Sequence, residues 1–440
     1  MLPLFWQWLL LLVTIEALVL LGWKKPSLLI PFLAGAAALE ISITWYPSLG
    51  GLETALGGDV SLVKLTSIAL ILAALARLCR RRDTRRELGA LVNSWITWAL
   101  VIYVGVGGVS VLYSADRHKT AVEVIRLLVL LALYLAVGLL SQGKQKLLPL
   151  YAVHTLGCLL TPLVIFEAAT RHFIWQQQFA EGVLARPPAT FVDANILARY
   201  LVLALVANLV LQYFAEGWRA RSLYQLAMAA LAGALAATFS RSGYVTLAVV
   251  FILLAVLVPR RKILLPLGLL GVLAALILAG YPTMLQRLLT IKEGIGALDA
   301  QRQYLVQAAW AMFREQPLTG VGLGAFQTVF LAKYLFMKTV EDGATLSHTT
   351  VMTIAAELGL LGLAAMANVW AALIRLIGRT RRRLGREEWI VGAAYGLWIL
   401  TIFISSQAEA RFFEEPLLWV SMGMLYRLSL GGAAGGAEKT

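Results

Sequence analysis

Residues 345–363 read TLSHTTVMTIAAELGLLGL, a polar Ser-His-Thr-Thr step that opens an apolar run continuing to residue 376. About 20 apolar residues cross a bilayer as a helix, so this run reads as a membrane span with an imidazole at its water-facing mouth. A titratable ring beside a membrane costs free energy unless it is hydrated or used. His348 is therefore the first residue to explain. Runs of the same kind fall at 2–21, 27–46, 61–78, 91–112, 122–140 and 147–169, then at 194–214, 222–239, 243–258, 263–280, 349–376 and 389–408. A shorter run, 417–430, is either one more span or a half-buried helix. The expected fold is an all-α polytopic membrane protein of about 12 or 13 transmembrane helices. It reads as a single domain over residues 1–440, with one long outward loop at 281–348.

Composition agrees with that class. The 440 residues are 60% hydrophobic and 14% charged, more apolar surface than a soluble core absorbs. The formal charge of +14 arises from 38 basic and 24 acidic residues, and the basic ones gather in short clusters between apolar runs. Such clusters mark cytoplasmic loops and not a nucleic-acid surface. Cys79 and Cys158 lie in or beside apolar segments, where a thiol behaves as a small hydrophobe; neither a disulfide nor a metal-thiolate site is expected. Leu2–Leu21 lacks a basic leader and a small-residue cleavage site, and reads as a retained span.

The clusters are Lys24-Lys25, Arg80–Arg82 with Arg85-Arg86, Lys144 with Lys146, Arg219 with Arg221, Arg260–Lys262, and Arg379 to Arg386. They occupy alternate loops, which the positive-inside tendency places in the cytoplasm. The loops at 47–60, 113–121, 170–193, 239–242, 281–348 and 409–416 then face outward, as does the N-terminus. Within the longest of them, Leu305, Ala309, Met312 and Phe313 recur at helical spacing between Asp299, a capping residue, and Pro317, a stop. A second short helix beyond the glycine-rich GVGLGAF would complete a roof over the membrane surface. The GVGLG run lacks the preceding strand and following lysine of a nucleotide loop; it reads as a place where backbones pack closely.

Arginines are disfavoured on an outward face, so those found there need a reason. Arg186 opens RPPATFVDANILARYL, where two prolines hold an extended approach and Asp193 or Asn195 caps the next helix. Arg241 sits in the tight polar break FSRSG, Arg302 and Arg314 flank the loop helix, and Glu357 follows His348 on its helix. Each also has a structural reading. Arg186 can snorkel to headgroups, Arg241 can serve the turn alone, Arg302 and Arg314 can be solvated, His348 can cap a helix, and Glu357 can tie two helices together. Taken jointly, arginine forks bind phosphate oxygens bidentately, and a lone imidazole takes a proton from a hydroxyl. That combination suggests displacement of a lipid diphosphate by a hydroxyl nucleophile, with arginine stabilising the leaving group. No Asp-x-Asp pair and no histidine or cysteine cluster stands there, so neither a metal nor a cofactor is expected.

RQYLVQAAWAMFREQPLTGVGLGAF, residues 302–326, resembles the glycine-rich loop of the O-antigen ligase and polymerase superfamily. His348 and the AELGLLG of 356–362 follow it as they do there. ATFVDANILARYL, FSRSGY and LYSADRHKTAVEVIRLLVLL are similar to the family's other elements, so the likeness runs from about Val111 to Met366. The chain departs from the usual pattern with Thr349 after the histidine and Tyr113 before Ser114. The resemblance implies a GT-C-like glycosyltransferase of the bacterial inner membrane, acting at its periplasmic face without a metal. It also implies that Arg186 and Arg241 hold the diphosphate of an undecaprenyl diphosphate-linked glycan, with Arg302 a further contributor, and that His348 activates the acceptor hydroxyl. Glu357 and Asn195 would support them. Lipid A-core is the favoured acceptor, because one outward loop dominates and no soluble extension follows. A growing glycan, as in a polymerase, and a protein hydroxyl are the alternatives. A transporter of lipid-linked sugars is the reading from another class, and it would line both faces with charge.

Overall fold

Helix boundaries follow from side chains that cap them. A computed structural model describes residues 3–48, 59–141, 145–174, 186–257, 300–334, 347, 349–409 and 412–431. Its helices are α1 Leu4–Lys24, α2 Leu29–Ala36, α3 Leu62–Arg80, α4 Arg82–Val92, α5 Trp95–Ser110, α6 Arg117–Leu140, α7 Leu148–Thr170 and α8 Ala194–Phe214. There follow α9 Gly217–Ala237, α10 Arg241–Leu257, α11 Ala300–Glu315, α12 Phe326–Val329, α13 Thr350–Arg383, α14 Arg386–Ser406 and α15 Pro416–Gly431. Ser61, Ser94, Asp116 and Asp193 accept backbone N–H bonds at the starts of α3, α5, α6 and α8, satisfying donors that a helix start leaves bare. No strand occurs among the described residues.

Seven of these helices are long and apolar enough to cross a membrane, or eight if the pair α4 and α5, bent by 68°, is one span. The chain is a multi-pass membrane protein. The expected run at 263–280 lies outside the described residues. The run at 27–46 is not one helix: α2 ends at Ala36 and a 3-10 turn, Glu40–Thr44, follows. Its backbone leaves the helix for partners elsewhere, since the Thr190 hydroxyl donates to Ala38 O at 2.5 Å and the Ile41 amide to Thr190 O at 2.8 Å.

Among the described residues, basic side chains of these clusters gather at one end of the bundle; Lys144 and Arg260–Lys262 lie outside the described residues. Arg80, closing α3, stacks on Trp23 near the end of α1. Lys146, just before α7, pairs with Glu388 at the start of α14 at 2.8 Å, and Arg427 near the end of α15 reaches Glu87 of α4 at 3.5 Å. At the other end lie the starts of α6, α8, α10, α13 and α15.

α8 is the central helix, with 94% of its apolar window buried. It carries a guanidinium into that interior: Arg199 donates to Glu409 at 2.7 Å and to Glu415 at 2.6 Å. These partners lie about two hundred residues away in sequence, and Arg126 of α6 holds Glu414 of the same turn at 3.8 Å. The turn between α14 and α15 is thus pinned from two sides. Arg199→Leu leaves two buried carboxylates without their cation. It is expected to cost about 3–5 kcal/mol, measurable as a lowered unfolding midpoint in detergent.

Candidate functional site

Two prolines carry the chain from Arg186 toward α8. The Asp193 carboxylate accepts the Asn195 amide at 2.6 Å and so fixes the helix start. That start aims the Asn195 side chain back at the approach. Arg186 donates from Nε to Thr238 O at 2.7 Å and from a terminal nitrogen to Asn195 Oδ1 at 2.7 Å. The same Oδ1 accepts the Ser240 hydroxyl at 2.9 Å. Ser240 in turn caps α10, accepting the Gly243 amide at 3.2 Å, and Arg241 is the first residue of that helix. Asn195 therefore joins the two segments that carry Arg186 and Arg241. A cation at a helix N-terminus opposes the macrodipole, and an anion arriving there relieves both Arg241 and the bare amides.

Glu167 of α7 anchors the approach to Arg186. Its fully buried carboxylate accepts the Ile174 amide at 2.9 Å and the Ala189 amide at 2.8 Å. The residues on either side of Arg186's loop are thereby tied to one side chain. Glu167→Ala leaves both backbone amides without their acceptor and is expected to cost about 1–3 kcal/mol, checked as a lowered unfolding midpoint in detergent.

The glycine-rich loop meets α13 where that helix is broken. Gly359 has φ 60° and ψ −152°, a conformation essentially reserved for glycine. In an unbroken helix the Leu360 and Leu361 amides would donate to the Ala356 and Glu357 carbonyls. Here those amides donate to Pro317 O at 2.8 Å and Leu318 O at 3.2 Å, and the carbonyls accept from Val321 at 3.0 Å and Gly322 at 2.8 Å. Two helical bonds are exchanged for four between segments. Contact this close leaves no room for a side chain: a Cβ on Gly320 would stand 2.3 Å from the Glu357 carbonyl carbon.

The Glu357 carboxylate completes the joint, accepting the Phe326 amide at 3.3 Å and the Gly324 amide. It ties α13 to the loop, the role of a connecting residue. From the other side, Ala115 donates to Val321 O at 3.0 Å, Thr120 to Leu323 O at 2.7 Å and Tyr113 to Thr319 O at 3.1 Å. Asp116 caps α6 and accepts the Thr328 hydroxyl at 2.9 Å. The Lys119 amide above all, with that hydroxyl and the nearby Lys119 and His118 charges, holds its carboxyl below the ordinary value.

The loop helix stands as expected, with Leu305, Ala309 and Met312 of α11 buried against Phe326, Phe330 and Ala356. Asp299, its expected cap, lies outside the described residues. Arg302 is half-buried on α11 and makes no hydrogen bond or ion pair with a described residue. His348 also lies outside the described residues. Its neighbours are firmly placed, since Ser347 donates to Thr349 O at 3.0 Å and Thr349 donates to Gln407 O at 3.4 Å. Thr350 reaches Ser406 O at 3.1 Å, and Ser405 of the same helix end meets Thr246 of α10 at 3.4 Å. The start of α13 and the start of α10 are therefore bridged by the end of α14.

Residues 226–367 match the family model described as O-antigen ligase, a range that takes in the SRSG turn, the glycine-rich loop and the break in α13. That third of the chain is similar to the O-antigen ligase family. Members of this family are membrane glycosyltransferase-like enzymes. A search of curated proteins finds no match to the chain. Three parts of this site are not singled out by the sequence reading: Arg199 with its two glutamates, the Asp116 cap, and Glu167. Arg199 and Glu167 each stand as a charge inside an apolar run, which signals that a partner exists but does not name it.

Proposed function

We propose that this end of the bundle is the active site of an O-antigen ligase-type glycosyltransferase. It moves a glycan from undecaprenyl diphosphate to a hydroxyl of lipid A-core, at the periplasmic face of the bacterial inner membrane. The observation that carries the reading is the Arg186 fork, held in plane by Thr238 and Asn195 and linked through Ser240 to Arg241. A fixed guanidinium plane beside a helix N-terminus suits the oxygens of a diphosphate.

In this reaction His348 takes the proton from the acceptor hydroxyl. The hydroxyl oxygen bonds to the sugar's anomeric carbon, the bond from that carbon to the diphosphate breaks, and the electron pair leaves with the diphosphate. Arg186, Arg241 and Arg302 stabilise the charge that develops there, so no divalent cation is required. The joint between loop and α13 fixes the helix whose start bears the histidine.

The test offers the purified protein one lipid-linked donor with lipid A-core, with a second donor molecule, or with a pilin-like protein. Product on lipid A-core alone, unchanged by EDTA, is expected. A longer glycan or a glycoprotein reassigns the acceptor, and movement of the donor across a vesicle without transfer indicates a transporter. Arg241→Lys is expected to lower the rate about a hundredfold, because a point charge cannot replace the fork. A rate equal to that of the unaltered protein shows that bidentate binding is unnecessary.

A further inference from the structure

Most exposed tryptophans among the described residues have surroundings that account for them. Trp6, Trp8 and Trp23 stand on α1, and Trp95 and Trp98 on α5, helices apolar enough to face lipid alone or as part of a bent span. Trp218 stands beside Arg219 at the end of the bundle that gathers the basic side chains. Trp310 has a different setting. It is 49% exposed on α11, which is not one of the candidate spans and packs on the far side from the basic end, against Phe326, Phe330 and Ala356. The other exposed residues of α11 are Gln307, Arg314 and Glu315. A helix lying against lipid would present several apolar side chains there, so this face meets water. Gln307 and Arg314 flank Trp310 at the spacings of surface neighbours on a helix. The half-buried Phe313 sets its ring 5.4 Å from the indole at 32°. Tyr334 donates to Glu315 at 2.7 Å, and Lys333 pairs with it too, bracing the end of the helix. The indole is thus a flat apolar plate on a fixed support, with an amide and a guanidinium at its edges.

A pyranose ring has the complementary surface. Its C–H face carries the partial positive charge that suits the negative face of an aromatic ring, and its rim carries hydroxyls that an amide and a guanidinium hydrogen-bond. A stable protein contact covers about 800 Å² on each side, whereas one indole among polar residues matches one sugar. Which sugar follows from the rest of α11. Arg302 lies about 12 Å from Trp310 along the helix axis, and the function proposed above sets Arg302 beside the donor's diphosphate. The glycan begins at that diphosphate, so its outer sugars are the ones that reach Trp310. Resting on that function, we propose that Trp310, with Gln307 and Arg314, is a subsite for the donor's glycan. The indole stacks on a sugar beyond the one whose anomeric carbon reacts.

Trp310→Ala and Trp310→Phe are compared with the unaltered protein on two donors: undecaprenyl diphosphate carrying the polymeric O-antigen of the producing cell, and the same lipid carrying N-acetylglucosamine alone. With the polymeric donor, Trp310→Ala is expected to raise KM about tenfold and to leave kcat nearly unchanged, the mark of binding lost equally from ground and transition states. Trp310→Phe is expected to keep most of the affinity, and neither variant to change KM for the single-sugar donor or the unfolding midpoint. An unchanged KM overturns the proposal. So does an equal loss with both donors, which makes the indole a lipid anchor or a structural contact, and so does a KM change for lipid A-core alone, which makes it an acceptor site. Binding of the free polymeric glycan, measured by saturation-transfer NMR, separates the subsite from the reaction. Binding that Trp310→Ala abolishes supports the subsite even where the unaltered protein transfers nothing. Binding that persists in Trp310→Ala overturns the subsite, while transfer by the unaltered protein keeps the reaction.

Discussion

His348→Ala is expected to abolish transfer from a diphosphate-linked donor, with the rate falling by about a thousandfold as for other general bases, while the helix bundle stays folded. Ser347 and Thr349 anchor the start of α13 through their own hydroxyls, so removing the ring between them leaves those bonds in place. Initial rates with lipid-linked donor, beside an unfolding curve in detergent, separate the two effects. Full activity in the alanine variant would overturn the assignment of His348 as the base. A parallel loss of folding would make the histidine structural.

Gly359→Ala is expected to have the largest effect on stability. An alanine there takes a backbone conformation that side chains avoid, and its Cβ would lie 2.5 Å from the Leu318 carbonyl carbon. The backbone must move, and all four exchanged bonds go with it. A loss of about 4 kcal/mol or more follows, seen as a collapsed unfolding midpoint or as failure to accumulate in the membrane. Gly378→Ala, where the added Cβ meets nothing within 4 Å, is the matched control and is expected to be neutral.

Much of this architecture can be read along the chain because it depends on neighbours in sequence. Helical spacing and the Pro317 stop place α11, Asp193 places the start of α8, and the alternation of basic clusters orders the ends of the helices. The joint between loop and α13 is different. GVGLG and AELGLLG each suit an ordinary turn and an ordinary helix, and only their meeting shows that Gly359 breaks the helix to exchange bonds with Pro317 and Leu318. The Arg199 pairs are hidden for a related reason: charge inside an apolar run signals that a partner exists but carries no information about which distant glutamate supplies it. Hydropathy reads 27–46 as one helix because it cannot register that Thr190 competes for the backbone bonds of Ala38 and Ile41.

The exchanged bonds also make two segments into one structural unit. Without residues 317–322, a break at Gly359 would strip two carbonyls and two amides of α13 of their partners. Without the break, the loop would lose the same four bonds. The glycine-rich loop and the bend in α13 therefore stand or fall together, and a change that loosens one is felt in full by the other.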